Sequence, residues 1–332
     1  MSSVMQLFKR AGNEALQLNP PDSDINITTH GSDFLWMVFS VMAATGLGTM
    51  IWSLKVNRGE RAFHYLSAAI LATASVAYFS LASDLGSTPV RVEFSHYGPA
   101  QVNGQLPTRQ IWYARYIDWT ITTPLLLLEI LLVSGLPLST IFITIFFDLV
   151  MIITGLIGSL VVSTYKWGYY TMGCVAMFYV FWVIYGPGLK SAAHLGDDFK
   201  KSYLYSSIML TFLWTLYPIA WGLADGGNVI SPDSEMVFYG ILDLLAKPVF
   251  ALVHLWSLRR CNYSSLHLKS GKFSDYEDVS AKQFRTMENG KGAEAGFVNH
   301  NTGATTTNHN VTGANVLDPA PATTMHQAHV TQ

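Results

Sequence analysis

The sequence predicts an all-α membrane protein, a bundle of seven transmembrane helices. Half of its 332 residues are hydrophobic and only 13% are charged, whereas soluble domains carry about 25% charged residues. Seven apolar runs are each long enough to cross a bilayer, which takes about 17–25 residues of helix. The net charge of −2 gives no electrostatic basis for binding nucleic acid. The runs are Asp33–Leu54, Ala62–Ser83, Ile111–Val133, Pro137–Ser163, Trp167–Tyr185, Tyr203–Ala224 and Ser234–Leu258.

Charges in the connections predict how the bundle is oriented. Basic residues such as Lys55, Lys190 and Arg259 follow the first, fifth and seventh runs, whereas the connection between the sixth and seventh runs has none. By the positive-inside rule, the N-terminus lies outside and the C-terminus in the cytoplasm. We therefore expect an extracellular tail over residues 1–32, a membrane domain over 33–260 and a cytoplasmic tail over 261–332. The last segment is rich in Ser, Thr, Asn, His and Gly, which predicts disorder.

The connection between the second and third runs, residues 84–110, is long for adjacent helices and rich in glycine and proline. Such a length favours a short hairpin or a cap over the outer mouth of the bundle. The two cysteines, Cys174 and Cys261, fit neither a disulfide framework nor a metal site. We therefore expect no bound metal ion.

Two ionisable side chains, Asp243 and Lys247, lie inside the last apolar run. Residues four apart share one face of a helix, about 6 Å from each other. Ionisable groups are costly in hydrocarbon, and they usually mark a functional site. A self-contained ion pair or a lysine that snorkels to the surface is the alternative. Lys247 is about eleven residues, or ~16 Å of helix, from either end of the apolar stretch Met236–Leu258, so its amine could not easily reach water.

The third run carries three more ionisable residues, Arg115, Asp118 and Glu129. Arg115 and Asp118 are three residues apart, and Glu129 follows Asp118 by eleven, which places all three on one stripe of a helix. Such a line across the bilayer indicates a proton relay, with a structural network as the alternative. Pro124 permits a kink, and Thr122 can bond either the backbone or the carboxylates. Ser67 on the second run can bond Glu129.

The sixth run contains an aromatic stripe formed by Trp214, Tyr217 and Trp221. Such a stripe is typical of helix packing or of an interface belt. Beside a lysine and two carboxylates, it could equally form the wall of a pocket for a long, flat, apolar ligand. Residues of other runs that could line the same pocket are Trp119, Met151, Gly155, Tyr78 and Met177.

Two acidic residues, Asp225 and Glu235, lie where the sixth run ends and the seventh begins. In most proteins such residues are simply solvated. Here the predicted topology places both at one mouth of the bundle, above Arg115. Two carboxyls so placed could share a proton that is expelled when the arginine moves.

Several of these stretches resemble the microbial rhodopsins. Residues 114–129, Ala-Arg-Tyr-Ile-Asp-Trp-Thr-Ile-Thr-Thr-Pro-Leu-Leu-Leu-Leu-Glu, resemble their third helix. Residues 242–250, Leu-Asp-Leu-Leu-Ala-Lys-Pro-Val-Phe, resemble their retinal-bearing seventh helix, and residues 148–155 and 214–221 look like their fourth and sixth. The resemblance covers roughly residues 33–260 and points to the fungal branch, near the bacteriorhodopsin-type proton pumps.

The resemblance implies a cofactor and a role for each ionisable residue. All-trans retinal would be bound to Lys247 as a protonated Schiff base, with Asp118 as primary counterion and proton acceptor and Asp243 as second counterion. Glu129 would be the cytoplasmic proton donor, protonated in the dark. The outer residues would be Arg115 as a gate and Asp225 and Glu235 as the release group.

The resemblance also implies a set of side chains that contact retinal. Leu126 occupies the position that tunes colour in relatives and suggests green absorption. The full set is Trp119, Thr122, Leu126, Met151, Gly155, Met177, Trp214, Tyr217, Trp221 and Tyr78.

The function implied is light-driven outward proton pumping rather than enzymatic turnover, in an integral protein of the plasma membrane that contacts lipid and forms homo-oligomers. The alternative is a slow-cycling sensory photoreceptor that signals to a cytoplasmic partner through the tail beyond Cys261. Glu129 favours this alternative, because most bacteriorhodopsin-like pumps have aspartate as donor and an extra methylene would slow reprotonation. A heptahelical ligand receptor is disfavoured, since it leaves Asp118, Glu129 and Lys247 together unexplained.

Overall fold

Seven helices form the core of the protein, as the sequence predicts. The computed structural model describes residues 12–266 and residue 268, so nearly all of the tail expected over 261–332 lies outside the described residues. Each of the seven is long and apolar enough to cross a membrane. They are α1 (Thr29–Ser53), α2 (Ala62–Ala82), α3 (Tyr113–Val133), α4 (Leu138–Leu160), α5 (Lys166–His194), α6 (Asp197–Gly226) and α7 (Pro232–Leu258). Short helical turns span Ala15–Leu18, Arg58–Glu60 and Tyr263–Leu266.

The helices form a closed ring. Each packs against the next along the chain, and α7 packs against α1. Large apolar side chains such as Phe146, Phe178, Phe212 and Trp256 are more than half exposed. Because apolar surface is costly in water but not in hydrocarbon, these faces fit contact with lipid. The buried ionisable side chains of these helices lie inside the ring.

The fifth helix is longer than the sequence suggests. It was expected to end at Tyr185, but it continues to His194. Pro187 lies in a π-helical turn, Ile184–Gly188, and the Tyr203 hydroxyl donates to the carbonyl of Ile184 at 2.8 Å. A wide turn accommodates a proline, which lacks the backbone N–H, so the helix continues past it, and the Tyr203 hydroxyl adds a contact between α6 and α5 at this turn.

Two further π-helical turns occur in α6 and α7, at Gly222–Gly226 and Leu245–Val249. The second contains Lys247 and the proline that follows it, Pro248. A π turn holds an extra residue and re-aims the side chains around it, and such turns are frequent at functional sites. Asp225 lies in the first of these turns, so both wide turns carry ionisable groups.

The long connection before α3 forms the expected hairpin. Strand β1 (Thr88–Arg91) pairs antiparallel with β2 (Thr108–Ile111), and Ile25 forms a parallel bridge to β2 at Arg109. Residues of this connection also reach the turn between α6 and α7, where the Asn228 amide donates to two of its carbonyls at 2.9 and 3.0 Å. We call this end of the bundle the hairpin end. The other end is the opposite end.

Candidate functional site

The Lys247 amine lies at the centre of the bundle between two carboxylates. It donates a short hydrogen bond to Asp118 and a second to Asp243 Oδ2 at 3.1 Å. The side chains of all three residues are at most 2% exposed. One cation between two anions is a stable arrangement in a dry interior only if the charges remain matched. The structure thus brings together the three residues expected at the core of the site.

The two carboxylates differ in how they are held. Asp243 also accepts hydrogen bonds from the Tyr78 hydroxyl at 2.8 Å and the Tyr217 hydroxyl at 2.6 Å. Asp118 Oδ1 is buried, and no described group bonds it. A buried carboxylate oxygen without a donor is costly, whereas hydroxyl donors stabilise the anion. Asp118 is therefore the better acceptor for a proton, and Asp243 the better permanent anion.

An apolar pocket lies beside this site. Its space amounts to about 660 Å³, a figure that includes the open volume at its mouth. Tyr217, which bonds Asp243, and Trp119, which follows Asp118, both line it. Expected residues in its wall are Trp119, Met151, Gly155, Trp214, Tyr217 and Trp221. Further lining residues, which sequence reasoning did not assign, are Tyr116, Thr123, Ile152, Tyr170, Gly173, Cys174, Pro218 and Tyr239.

Four residues expected in the pocket are outside this wall. The Tyr78 hydroxyl bonds Asp243 instead, and the Thr122 hydroxyl donates to the backbone carbonyl of Asp118 at 2.9 Å. Leu126 belongs to the apolar core of the opposite half, and Met177 is buried in α5. Thr122 thus takes the backbone alternative left open by the sequence.

The pocket and the amine together fit the retinal implied by the resemblance. A buried lysine amine can form a Schiff base with a carbonyl ligand. The aromatic walls suit a flat apolar chain, and the adjacent carboxylates suit a positive charge on the lysine nitrogen. Lys247 would hold the group, and Trp119, Trp214 and Tyr217 would contact it.

At the hairpin end, Glu235 is bound by two arginines. Arg115 Nη1 donates to Glu235 Oε1 and Arg109 Nη2 to Glu235 Oε2, both at 2.7 Å. The Arg115 guanidinium also lies over the Tyr239 ring, 4.1 Å from its centre. Arg109 was not assigned to the site from the sequence. It lies in a strand six residues before Arg115, so no helical spacing connects it with the relay.

Asp225 has different partners from Glu235. Its Oδ2 accepts a hydrogen bond from the Tyr116 hydroxyl at 2.6 Å. The amine of Lys166 lies 3.4 Å from the Asp225 backbone carbonyl. The structure therefore places both expected release residues at the same end, with separate hydrogen-bond partners.

Glu129 lies on the opposite side of Lys247 from the arginines. Its side chain is fully buried, and the Ser67 hydroxyl donates to Oε1 at 2.6 Å, as the sequence suggested. The other oxygen, Oε2, has no hydrogen-bond partner in the described part of the chain. Because a buried ionised carboxylate needs donors on both oxygens, this environment suits a protonated acid.

Asp148 is a further buried carboxyl, between α4 and α3. Thr123 on α3 donates to Asp148 Oδ2 at 2.8 Å and also to the carbonyl of Trp119. This contact joins two helices beside the pocket. It lies apart from the three residues around the Lys247 amine.

Comparison with known proteins identifies the family. The family described as Bacteriorhodopsin-like protein matches residues 30–260. Protein FDD123 of Trametes versicolor is 50% identical over 80% of this chain and 90% of its own length. Opsin-like protein carO of Fusarium fujikuroi is 43% identical over 90% of this chain and 96% of its own.

A solved structure agrees with these relatives. The light-driven proton pump rhodopsin CsR of Coccomyxa subellipsoidea is 35% identical, with a TM-score of 0.65 over 70% of this chain and 99% of that one. The resemblance found in the helix motifs is thus confirmed over the whole helical bundle. The chain belongs to the bacteriorhodopsin-like family of microbial rhodopsins, which are retinal proteins.

Proposed function

We propose that this protein is a light-driven outward proton pump. The observation that carries the proposal is the order of buried ionisable groups along the bundle. Among the described residues, the buried carboxyl of Glu129 lies on one side of Lys247, and a cluster of carboxyls and arginines lies on the other. Groups that can take up, transfer and release a proton therefore follow each other across the membrane. The similarity to CsR, a proton pump, supports the same function.

Lys247 would hold all-trans retinal as a protonated Schiff base. When bound, retinal supplies a light-driven isomerisation that reorients the N–H at the lysine nitrogen. Asp118 Oδ1 then accepts the proton, since no described donor bonds it in the dark. Asp243 remains ionised, because two tyrosine hydroxyls hold it. The two aspartates thus divide the roles of acceptor and permanent counterion.

Once Asp118 is neutral, Arg115 loses an attractive charge on the side facing Lys247. Its guanidinium is already bonded to Glu235, so this loss favours the hairpin-end position. A proton then leaves from the release group formed by Asp225 and Glu235. Release at the hairpin end fits the orientation in which that end faces the outside.

Glu129 reprotonates the lysine nitrogen from the opposite side. Its apolar surroundings and single hydrogen bond suit an acid that stays protonated until the central site demands a proton. It then regains a proton from the cytoplasm. In the plasma membrane, each cycle moves one proton out of the cell.

The test is light-driven pH change in cells that contain the protein and added retinal. We expect the medium to acidify in light and the change to disappear with a protonophore. Asp118→Asn is the matched control, which should form a coloured protein without acidification. A stable coloured protein that never moves protons would contradict the pump and favour the sensory alternative, for which the glutamate donor is the supporting feature.

A further inference from the structure

Glu235 differs from the other buried carboxyls because both of its oxygens are bound by cations. Arg115 bonds one oxygen and Arg109 the other, each at 2.7 Å, and the side chain is fully buried. Charge-assisted hydrogen bonds of this length are about twice as strong as neutral ones. These two bonds therefore stabilise the ionised form of Glu235 while both arginines remain in place.

The two arginines are anchored differently. Arg115 lies on α3 three residues from Asp118, so its position depends on the charge of the central site. Arg109 lies on β2, where its backbone is paired with Val90 on one side and Ile25 on the other. If Arg115 moved away from Glu235 at any stage of the light cycle, Arg109 would therefore still leave one cation on Glu235.

The Arg109 side chain is fixed as firmly as its backbone. Nη1 donates to Asn228 Oδ1 at 2.7 Å and to the carbonyl of Ile230 at 2.8 Å, and the residue is 1% exposed. Asn228 in turn holds the hairpin connection through two further hydrogen bonds. Arg109 thus ties the start of α7 to the hairpin and is not free to follow Arg115.

The carboxyl of Asp225 is held by fewer hydrogen bonds than that of Glu235. One oxygen accepts from Tyr116 at 2.6 Å, while the other, Oδ1, is buried with no hydrogen-bond partner among the described residues. Lys166 approaches its backbone carbonyl, and not its carboxyl group. An ionised carboxylate with an unbonded buried oxygen is costly, whereas a neutral carboxyl needs fewer donors.

We infer that Arg109 is a positioning residue that keeps Glu235 ionised throughout the light cycle, so that Asp225, bonded to Tyr116, is the carboxyl that holds and releases the exported proton. The inference rests on the proposed function and divides the roles of its release group. The released proton leaves a carboxyl oxygen of Asp225 for solvent at the hairpin end, and Asp225 becomes the anion. Glu235 contributes a fixed charge.

Light-minus-dark infrared difference spectroscopy on the retinal-loaded protein tests this division, since a protonated carboxyl has its own C=O band. We expect Asp225→Asn to remove a band for loss of a carboxyl proton and Glu235→Gln to remove none. Arg109→Gln should add a band for a protonated carboxyl, and the double change Arg109→Gln with Glu235→Gln should remove it. Arg109→Lys keeps the charge and should look like the unaltered protein.

Arg91 supplies the matched control, because it lies on the partner strand of the same hairpin and bonds the exposed Gln105 side chain. Arg91→Gln should leave the spectrum unchanged. A protonated-carboxyl band lost in Glu235→Gln would overturn the inference, as would the absence of any new band in a folded Arg109→Gln protein. If Arg109→Gln does not fold, the Asp225→Asn and Glu235→Gln spectra still decide. A pH-dye measurement without proton release would contradict the pump and the release role of Asp225, whereas the infrared bands alone decide whether Arg109 keeps Glu235 ionised.

Discussion

The two halves of the bundle, on either side of Lys247, bury different kinds of side chain. Toward the hairpin end, buried carboxyls and cations bond each other and nearby tyrosine or asparagine side chains. Toward the opposite end, Glu129 is surrounded by a largely aliphatic core, with Ser67 as its hydrogen-bond partner. His254 is also buried there and bonds Ser206 at 2.8 Å. The buried ionisable residues of the hairpin half are Asp84, Arg109, Arg115, Lys166, Asp225 and Glu235.

This difference suits the two steps that the proposed pump requires, proton release at the hairpin end and proton uptake at the opposite end. In the hairpin half, a group that gains a proton changes its charge, and its neighbours stabilise that change, because several charged groups lie within one or two hydrogen bonds of it. In the opposite half, a charge would be poorly stabilised, so a neutral acid is the natural resting form. We therefore expect substitutions in the opposite half to change the rate of proton uptake strongly, and substitutions in the hairpin half to change which group releases the proton.

The largest effect is expected for Lys247→Ala, which removes the amine that lies between the two halves. Without a nitrogen to bind retinal, the purified protein should lose its visible absorption completely. Absorption spectra after addition of retinal measure this loss. Lys166→Ala is the matched control, since Lys166 is equally buried but lies at the hairpin end. Covalently bound, coloured retinal in Lys247→Ala would show that the assignment of the lysine is wrong.

The sequence predicted the helices and the pairs within one helix from short-range spacing, whereas the meeting of Asp118 on α3 with Lys247 on α7, 129 positions apart, was implied by the resemblance of both helices to the microbial rhodopsins. Asp243 and Lys247 meet one turn apart on α7, and Arg115 and Asp118 meet on α3, whatever the rest of the chain does. Arg109 could not be found this way, because its contact with Glu235 joins residues 126 positions apart. Contacts of that kind depend on how the hairpin folds back over the helices.

The helix ends show the same division between local and distant causes. The fifth run was expected to end at Tyr185, shortly before Pro187, which lacks the N–H that continues a helix. The hydroxyl of Tyr203, from the next helix, contributes a hydrogen bond at that turn, and the helix continues. The wide turn accommodates the proline, and the contact from Tyr203 is of the distant kind that spacing along the sequence does not show.

The second-largest effect is expected for Glu129→Gln, which removes the acid of the opposite half while keeping its shape. Recovery of the visible absorbance after a flash should slow about 100-fold or more, since a general acid contributes ~10²–10⁴-fold. Added azide or another small acid should restore part of the rate by carrying protons in place of the side chain.

Asp148→Asn is the control for this change, because Asp148 is a buried carboxyl bonded to Thr123 beside the pocket. It should leave the recovery close to that of the unaltered protein. Equal slowing in both variants would mean that the recovery rate does not depend on Glu129 in particular. The difference in composition between the two halves would then not explain the rate of recovery.

The smallest effect is expected for Ser67→Ala, which removes the hydroxyl that donates to Glu129 at 2.6 Å. An ionised carboxylate accepts a hydrogen bond more strongly than a neutral acid, so Ser67 favours the state after Glu129 has given up its proton. Loss of about 0.5–1.5 kcal/mol should slow recovery roughly two- to tenfold. Ser75→Ala on the same helix, whose hydroxyl bonds only the backbone of Leu71, should change nothing. Unchanged recovery in Ser67→Ala, beside a slowed Glu129→Gln, would show that the apolar surroundings alone set the behaviour of Glu129.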